Sequence, residues 1–300
     1  MKRFVKICLI AGSVCVLIGG GISAVSATLG GSLREIVPQR VLEWRSEFSG
    51  VTLDGFWDGV NFDDIYIPEV YNRGERGQEI FSSPQVKKLD IVIRAGNVVF
   101  VEGPQGSEVK IFCNRDKTCF NLYEEDGELE LKEYDGWERK DGPELLFTVQ
   151  VPKDYRFSDV DLKSVHSNRL SDREGSGPAM MAQALSADEL SIETQAGAIK
   201  IDGGNVGNLN VESNAGAVEF SGTTTGDIEA VCRVGAIRLE LAGNKEDYNY
   251  DIQCSMGAVK IGDEGSAALR GRKQTDNGAG KDMDLECKTG AIQVDFMNEI

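Results

Sequence analysis

The stretch TQAGAI, residues 194–199, is the first of five that decide the fold. Four later stretches share its glycine-alanine pair and its closing isoleucine or valine: SNAGAV at 213–218, CRVGAI at 232–237, CSMGAV at 254–259 and CKTGAI at 287–292. The five pairs are Gly197 and Ala198, Gly216 and Ala217, Gly235 and Ala236, Gly257 and Ala258, and Gly290 and Ala291. Their glycines are spaced by 19, 19, 22 and 33 residues. Repetition on this scale indicates structural units that stack on one another.

The residues around each glycine alternate between apolar and polar. Before Gly197 stand Leu190 and Ile192, and after it stand Ile199 and Ile201, with polar residues between them. Alternation of this kind predicts strands with one buried face. The alternation slips by one residue at every Gly-Ala pair, which predicts a corner between two short strands. Glycine adopts the backbone angles that such a corner requires, and alanine is small enough to follow it.

Two strands and two turns in 19 residues predict one coil of a parallel β-helix. Equivalent residues of successive coils would then stack about 4.8 Å apart. Three residues before each glycine, an inward ladder is expected at Thr194, Ser213, Cys232, Cys254 and Cys287. We therefore predict an all-β fold, a parallel β-helix or solenoid of short strands with Gly-Ala corners. Weaker strands are predicted at 89–100, 149–152 and 160–164, a hairpin leaving the stack at 124–141, and a loop between the last two coils at 262–281.

These coils, together with the Val-Pro pair at 151–152 and the closing stretch KTGAIQVDF at 288–296, resemble a family of bacterial β-strand-repeat proteins. Its members are called "putative adhesin" or domain of unknown function, and the resemblance covers about residues 86–296. The resemblance implies an exported β-solenoid with a membrane segment, in some cases associated with envelope-stress systems of Gram-positive bacteria. It brings no catalytic residues with it.

The N-terminus predicts a membrane anchor. Lys2, Arg3 and Lys6 precede an uncharged run of residues 7–31, which is long enough for a helix that crosses a bilayer. Basic residues stay on the cytoplasmic side, so the rest of the chain is expected outside the cytoplasm, on a single-pass cell-membrane anchor. The alternative is a cleaved signal peptide, because Val25, Ser26 and Ala27 offer small residues for cleavage.

The predicted organisation has three parts: an anchor at 1–31, a connector and N-terminal cap at 32–85, and the β-helix at 86–300. The connector is rich in aromatic residues, which we expect to plug one end of the solenoid core. Acidic residues exceed basic ones by 49 to 32, for a net charge of −17. A nucleic-acid partner is therefore not expected, since phosphate binding needs a basic face.

The cysteines and the histidine predict no cofactor and no metal site. Cys232, Cys254 and Cys287 share one inward ladder and lack the tetrahedral spread that zinc prefers. They are expected to act as small buried side chains, although a disulfide between neighbouring coils is sterically allowed. Cys113 and Cys119 flank five residues and could close a hairpin through a disulfide. His166 is the single histidine of the chain and lies in a polar region, where we expect it to be solvated.

Two classes of function are compatible with these features. The first is a non-enzymatic envelope protein that binds a cell-wall ligand, a surface ligand or an envelope protein, or that acts as a scaffold or stress sensor. The second is a carbohydrate-active enzyme, because Glu193 and Glu212 occupy the same outward position on successive coils and would stack near the roughly 5 Å separation of retaining glycosidases. If the domain were cytoplasmic instead, a polymerising β-helix scaffold would be the better hypothesis.

Overall fold

The computed structural model describes residues 77–94, 96–115, 118–134, 145–165, 179–195, 197–255, 258–262, 264–266 and 271–297. The predicted anchor, most of the connector with its aromatic residues, His166 and Gly257 lie outside these ranges. No helix in the described ranges is long and apolar enough to cross a membrane.

The described chain consists of twenty strands and one 3₁₀ helix, Lys245–Asp247, so the all-β prediction is confirmed. The strands are β1 Gln78–Ser83, β2 Lys88–Ile93, β3 Asn97–Gly103, β4 Val109–Cys113, β5 Phe120–Glu125, β6 Glu128–Glu133, β7 Leu146–Pro152, β8 Phe157–Ser164, β9 Ala179–Gln183, β10 Ser186–Thr194, β11 Ala198–Ser213, β12 Ala217–Thr224, β13 Ile228–Cys232, β14 Ala236–Leu241, β15 Asn249–Cys254, β16 Ala258–Ile261, β17 Glu264–Ser266, β18 Gly271–Thr275, β19 Asp282–Cys287 and β20 Ala291–Phe296. β1 lies in the range assigned above to the connector.

The strands form two strips that enclose the core between them. Strip 1 runs in spatial order β5, β6, β2, β8, β10, the second half of β11, β13, β19, β15 and β18. Strip 2 runs β1, β4, β7, β3, β9, the first half of β11, β12, β14, β20, β16 and β17. β11 joins the strips, and its sixteen residues turn at Gly203 and Gly204. The result is a curled, solenoid-like sheet.

A coil is one strand of strip 1 followed by the next strand of strip 2, and the described residues form eight coils. In chain order they are β2–β3, β6–β7, β8–β9, β10 with the first half of β11, the second half of β11 with β12, β13–β14, β15–β16 and β19–β20. Within each strip the coil strands pair in parallel and in register, so equivalent residues form columns. The inward columns carry the alternating apolar residues that the sequence analysis identified, and these are buried.

The coils do not stack in chain order, which corrects the prediction for the C-terminal end. The last coil, β19–β20, lies between the sixth and the seventh, because β19 pairs with both β13 and β15 and β20 with both β14 and β16. The order of coils also departs from chain order at the N-terminal end. There the first coil lies between the second and the third, since β2 pairs with β6 and β8.

Short antiparallel strands cover both ends of the stack. β5 pairs with β6 and β4 with β7 at one end, while β18 pairs with β15 and β17 with β16 at the other. The segment 262–281, expected to be a loop, thus supplies two capping strands. The predicted hairpin at 124–141 forms as β5–β6, with positive φ at Asp126 and Gly127. It does not leave the stack, because β6 is a coil strand. Antiparallel caps block further parallel stacking at both ends.

Close approach between coils explains the corner glycines. A Cβ atom built on Gly235 would lie 2.0 Å from the carbonyl oxygen of Gly216 and 2.2 Å from Ser213 Oγ. One on Gly290 would lie 2.3 Å from the carbonyl oxygen of Gly235. Only Gly197, among the described corner glycines, has a positive φ, of 93°. The expectation that corner glycines serve special backbone angles therefore holds at one corner, and the others need glycine for lack of space.

Replacing Gly235 with alanine should therefore destabilise the fold by about 3 kcal/mol, because the stacked corners must separate to admit a methyl group. Chemical denaturation of the two proteins measures this difference. The matched control is Gly280→Ala, since a Cβ atom there meets nothing within 4 Å. Equal stability of the two variants would contradict the close stacking of the corners.

Candidate functional site

The predicted ladder residues stand in one inward column, and all of them are buried. Their spatial order is Thr194, Ser213, Cys232, Cys287 and Cys254, as the strand register requires. Ser213 Oγ donates a hydrogen bond to the carbonyl oxygen of Gly216, 2.7 Å away, within its own corner. A small side chain at this position therefore fills the space beneath the corner glycine of the next coil.

Three thiols form one end of this column. Cys287 lies between Cys232 and Cys254 in the register of β13, β19 and β15. The hydrogen bond between Cys287 and Cys232, together with burial, raises the pKa of the Cys287 thiol well above its ordinary value. A thiol held in its neutral form is a poor nucleophile and a poor metal ligand. Within the described ranges, no cluster of three histidine, cysteine or carboxylate side chains could hold a metal ion.

The structure does not place Cys113 and Cys119 on the two strands of one hairpin. Cys113 ends β4, which pairs with β1 and β7 in strip 2, whereas Cys119 precedes β5, which pairs with β6 in strip 1. Both cysteines are buried and carry thiols, so no disulfide joins them. They therefore act in the structure as small packed side chains.

Glu133 is the last residue of β6, and its side chain is buried. It directly follows Lys132, which pairs with Val92 of β2. It therefore stands in the inward column beside Ile93. Its Oε2 accepts hydrogen bonds from the backbone N–H groups of Arg94, at 2.7 Å, and Gly96, at 3.0 Å. The carboxylate thus closes the corner of the neighbouring coil. Sequence analysis missed it, although the alternation of Leu129, Leu131 and Glu133 already places it on the inward face.

Glu133→Ala should destabilise the protein by about 3 kcal/mol, because two backbone N–H groups at the corner lose their acceptor. Glu133→Gln keeps an oxygen in place and should recover part of that stability. The matched control is Glu130→Ala, since Glu130 points outward and pairs with Lys132 at 2.9 Å. Thermal denaturation compares the three variants, and a loss at Glu130 equal to that at Glu133 would contradict this role.

The outer face of strip 1 carries many carboxylates, which are most frequent towards the two ends of the stack. One outward column reads Glu130, Asp90, Asp161, Ser191, Asn210, Glu229, Asp284 and Asp251 in spatial order. Its neighbours on either side add Asp159, Glu189, Asp227, Asp282, Glu193, Glu212 and Glu286. We call this surface the acidic face. Coil stacking sets like charges about 4.8 Å apart, which concentrates a negative field over an extended surface.

The crowded surroundings shift the pKa of particular carboxyl groups on the acidic face. Burial raises the pKa of Asp284, and the charges of Asp251, Asp282 and Asp227 raise it further. Burial likewise raises the pKa of Asp161, against the opposing effect of Lys163. The hydrogen bond from Arg272 lowers the pKa of Asp251. A cation near the unpaired positions would relieve this repulsion.

Glu193 and Glu212 are neighbours in register, as predicted, but each carboxylate is held by a cation. Lys163 Nζ lies 3.8 Å from Glu193 Oε2, and Arg233 Nη2 lies 2.9 Å from Glu212 Oε1. A retaining glycosidase needs one neutral carboxyl as acid and one available nucleophile. Both carboxylates are engaged in ion pairs, and this arrangement gives no support to that chemistry.

A cavity lined by Phe100, Val151, Tyr155 and Leu185 holds about 100 Å³. Sites for drug-sized ligands usually occupy about 300–1,000 Å³. The cavity lies at the turns between coils and not on the acidic face. It offers room for water and little more.

The outer face of strip 2 has a different composition. Nearest the corners it carries the alanines of the repeat, and beside them runs a polar column that includes Lys200, Glu219, Arg238 and Gln293. Lys200 Nζ lies 3.4 Å from Glu219 Oε1. Glu219 Oε2 and Arg238 Nε are buried and make no hydrogen bond. The predicted corner residues Ala198, Ala217, Ala236 and Ala291 lie on this face; the side chain of Ala258 falls outside the described set.

The two strips, the stacked corners and the antiparallel caps define a repeat domain with extended faces and a filled core. Residues 125–295 match the family model Toastrack DUF4097. Because the match covers more than half of the chain, the protein belongs to the Toastrack DUF4097 family. The resemblance to β-strand-repeat proteins is thereby confirmed. A search of curated proteins gives no match.

Among the solved structures that the chain matches are proteins from three bacteria. A "putative cell adhesion protein" from Clostridium sporogenes is 12% identical, with 73% of this chain and 98% of that chain covered and a TM-score of 0.37. A "putative adhesin" from Bacteroides fragilis is 12% identical, with 72% and 97% covered and a TM-score of 0.32. A "putative adhesin" from Parabacteroides distasonis is 11% identical, with 73% and 97% covered and a TM-score of 0.25.

Proposed function

We propose that this protein is a non-enzymatic, membrane-tethered envelope protein whose exported coil domain binds a partner through the acidic face. The observation that carries the proposal is the high proportion of carboxylates on the outer face of strip 1. This face spans the stack, and its charges repel one another at the crowded positions. The partner that fits this surface is an envelope protein with a basic patch, because opposite charge relieves the repulsion and guides association.

Two further features support a binding role over the alternatives. The carboxylates that the enzyme hypothesis requires, Glu193 and Glu212, are already paired with cations. The capped ends do not favour the polymerising scaffold, because a polymer built by parallel stacking needs open strands at both ends. The membrane tether is supported by the basic N-terminus and the uncharged run that follows it.

The test is cross-linking on intact cells with a membrane-impermeant, amine-reactive reagent. Lys88, Lys132 and Lys163 lie on the acidic face and supply amines for the reaction. The wild-type chain is expected to capture an envelope protein with a basic surface. A variant with Asp161→Asn, Glu189→Gln and Glu229→Gln should capture several-fold less of it, because association that is steered by charge weakens when the charge is removed.

The matched control removes three carboxylates from outside the acidic face, through Glu102→Gln, Glu246→Gln and Asp276→Asn. This variant changes the net charge equally and should capture as much partner as the wild type. Recovery of no envelope protein, or equal loss with both variants, would contradict the proposed binding face. Labelling of the domain only after the membrane is broken would contradict its export.

A further inference from the structure

Two thiols meet where the last coil is inserted into the stack. Cys232 ends β13 of the sixth coil, and Cys287 ends β19 of the last coil. The two residues are paired in register on neighbouring parallel strands, and both side chains point into the core. Neighbouring strands lie about 4.8 Å apart, which is inside the Cα separation of about 4.4–6.8 Å that a disulfide spans.

The sulfur of Cys232 lies against the last coil. A Cβ atom built on Gly290 would lie 2.7 Å from Cys232 Sγ, so the sulfur fills the space beneath the corner of that coil. The Cys287 thiol donates a hydrogen bond to Cys232, and the backbone N–H of Ala291 donates another. All of these contacts join Cys232 to the coil that carries Cys287, and they hold the two sulfur atoms side by side.

The two thiols differ in acidity. The hydrogen bond from Cys287 lowers the pKa of the Cys232 thiol, and the hydrogen bond from Ala291 lowers it as well, against the opposing effect of burial. The same thiol pair and burial raise the pKa of Cys287. The thiolate is the attacking species in thiol–disulfide exchange. In the docked coils, Cys232 is therefore the attacking sulfur and Cys287 the sulfur that is attacked.

The order of the coils gives a bond at this position a particular effect. The seventh coil, β15–β16, lies between Cys232 and Cys287 in sequence but beyond the last coil in space. A disulfide between the two cysteines closes a loop that contains the whole seventh coil and its capping strands β17 and β18. The bond would hold the last coil on the sixth even when the seventh coil separates from the stack.

We propose that Cys232 and Cys287 form a disulfide when the coil domain folds in an oxidising space, with a low-molecular-weight disulfide as the oxidant. The structure contains the reduced form, in which both cysteines are thiols. The oxidising space rests on the proposed export of the domain, whereas the choice of partners rests on the register and the sulfur contacts. Cys254, on the far side of Cys287 in the column, stays reduced.

The reaction consists of two exchange steps. Before the last coil docks, the Cys287 thiolate attacks the low-molecular-weight disulfide, so that a mixed disulfide forms on Cys287 and one small thiolate leaves. When the coil docks, the Cys232 thiolate attacks the Cys287 sulfur. The Cys232–Cys287 bond forms, the mixed disulfide breaks and a second small thiolate leaves. The protein loses two electrons to the oxidant, and the protons of its two thiols pass to the two released thiolates.

Refolding of the full-length chain in a glutathione redox buffer tests the pairing. The reduced, denatured chain is refolded in detergent, circular dichroism confirms its β-sheet, and the remaining thiols are blocked before digestion and mass spectrometry. A peptide pair linked through Cys232 and Cys287 is expected, with Cys254 blocked as a free thiol. Cys254→Ser is the matched control and should form the same link in equal yield, because Ser213 already places a hydroxyl in this column.

Thermal unfolding gives a second readout. Reduction of the refolded wild type should lower its Tm by about 10 °C, because a disulfide that closes a long loop strongly restricts the unfolded chain. The double variant Cys232→Ser with Cys287→Ser lacks the bond and should have the same Tm in oxidising and reducing buffer.

A link between Cys254 and Cys287 in place of the expected one, or blocked thiols at both Cys232 and Cys287 in a chain with its β-sheet restored, would overturn the proposal. An unchanged Tm on reduction of the linked chain would overturn the role of the bond in holding the last coil. A cytoplasmic location of the domain in intact cells would contradict the proposed export, and it is distinguished from a wrong pairing because the refolding experiment contains no cells.

Discussion

The structure depends on one constraint, the close stacking of corners in register. Each described corner glycine after the first lies against the corner of the neighbouring coil, where a methyl group would meet a carbonyl oxygen at 2.0 to 2.6 Å. Backbone hydrogen bonds continue around the corner, as from Ala217 N–H to the carbonyl oxygen of Gly197 at 3.0 Å and from Ala236 N–H to that of Gly216 at 3.0 Å. The coils therefore cannot slip by a residue, since a slip would place side chains where only hydrogen fits.

In-register stacking turns each sequence position into a continuous column. Small hydroxyls and thiols then stack beneath the corners, and branched apolar residues fill the core. On the outer side of strip 1 the same register stacks carboxylates on carboxylates. The outer faces of the two strips therefore differ because of one geometric rule. Strip 1 accumulates carboxylates, while strip 2 carries the alanines of the repeat beside a column of mixed charge.

Much of this fold can be predicted from the sequence. The Gly-Ala repeat and the two-residue alternation predict the strands, the corners and the inward columns, because these features depend on local periodicity. Coil order cannot be predicted in the same way. The spacing of 33 residues from Gly257 to Gly290 shows that a coil is interrupted, but it does not show which coil the last one contacts. The capping strands β17 and β18 are short and irregular in composition, and their pairing is decided by the open edges they meet.

The functional surfaces were only partly visible in the sequence. Glu193 and Glu212 were correctly placed side by side, whereas their cationic partners Lys163 and Arg233 come from neighbouring coils and could be found only from the register. Glu133 belongs to a coil without a Gly-Ala pair, so the repeat did not reveal it. Burial of the outer side of strip 2 depends on tertiary packing, which the periodicity of the sequence does not predict.

Disulfide formation between cysteines placed on the acidic face tests the stacking most directly. Glu229 is paired with Asp284, and Asp284 with Asp251, so the last coil separates Glu229 from Asp251. Cysteines at positions 229 and 284 should oxidise readily to a disulfide, because neighbouring coils bring their Cα atoms within the bridging range of about 4.4–6.8 Å. Cysteines at 229 and 251 lie two coils apart and should not. A disulfide between 229 and 251, with none between 229 and 284, would show that the coils stack in chain order and would contradict the account.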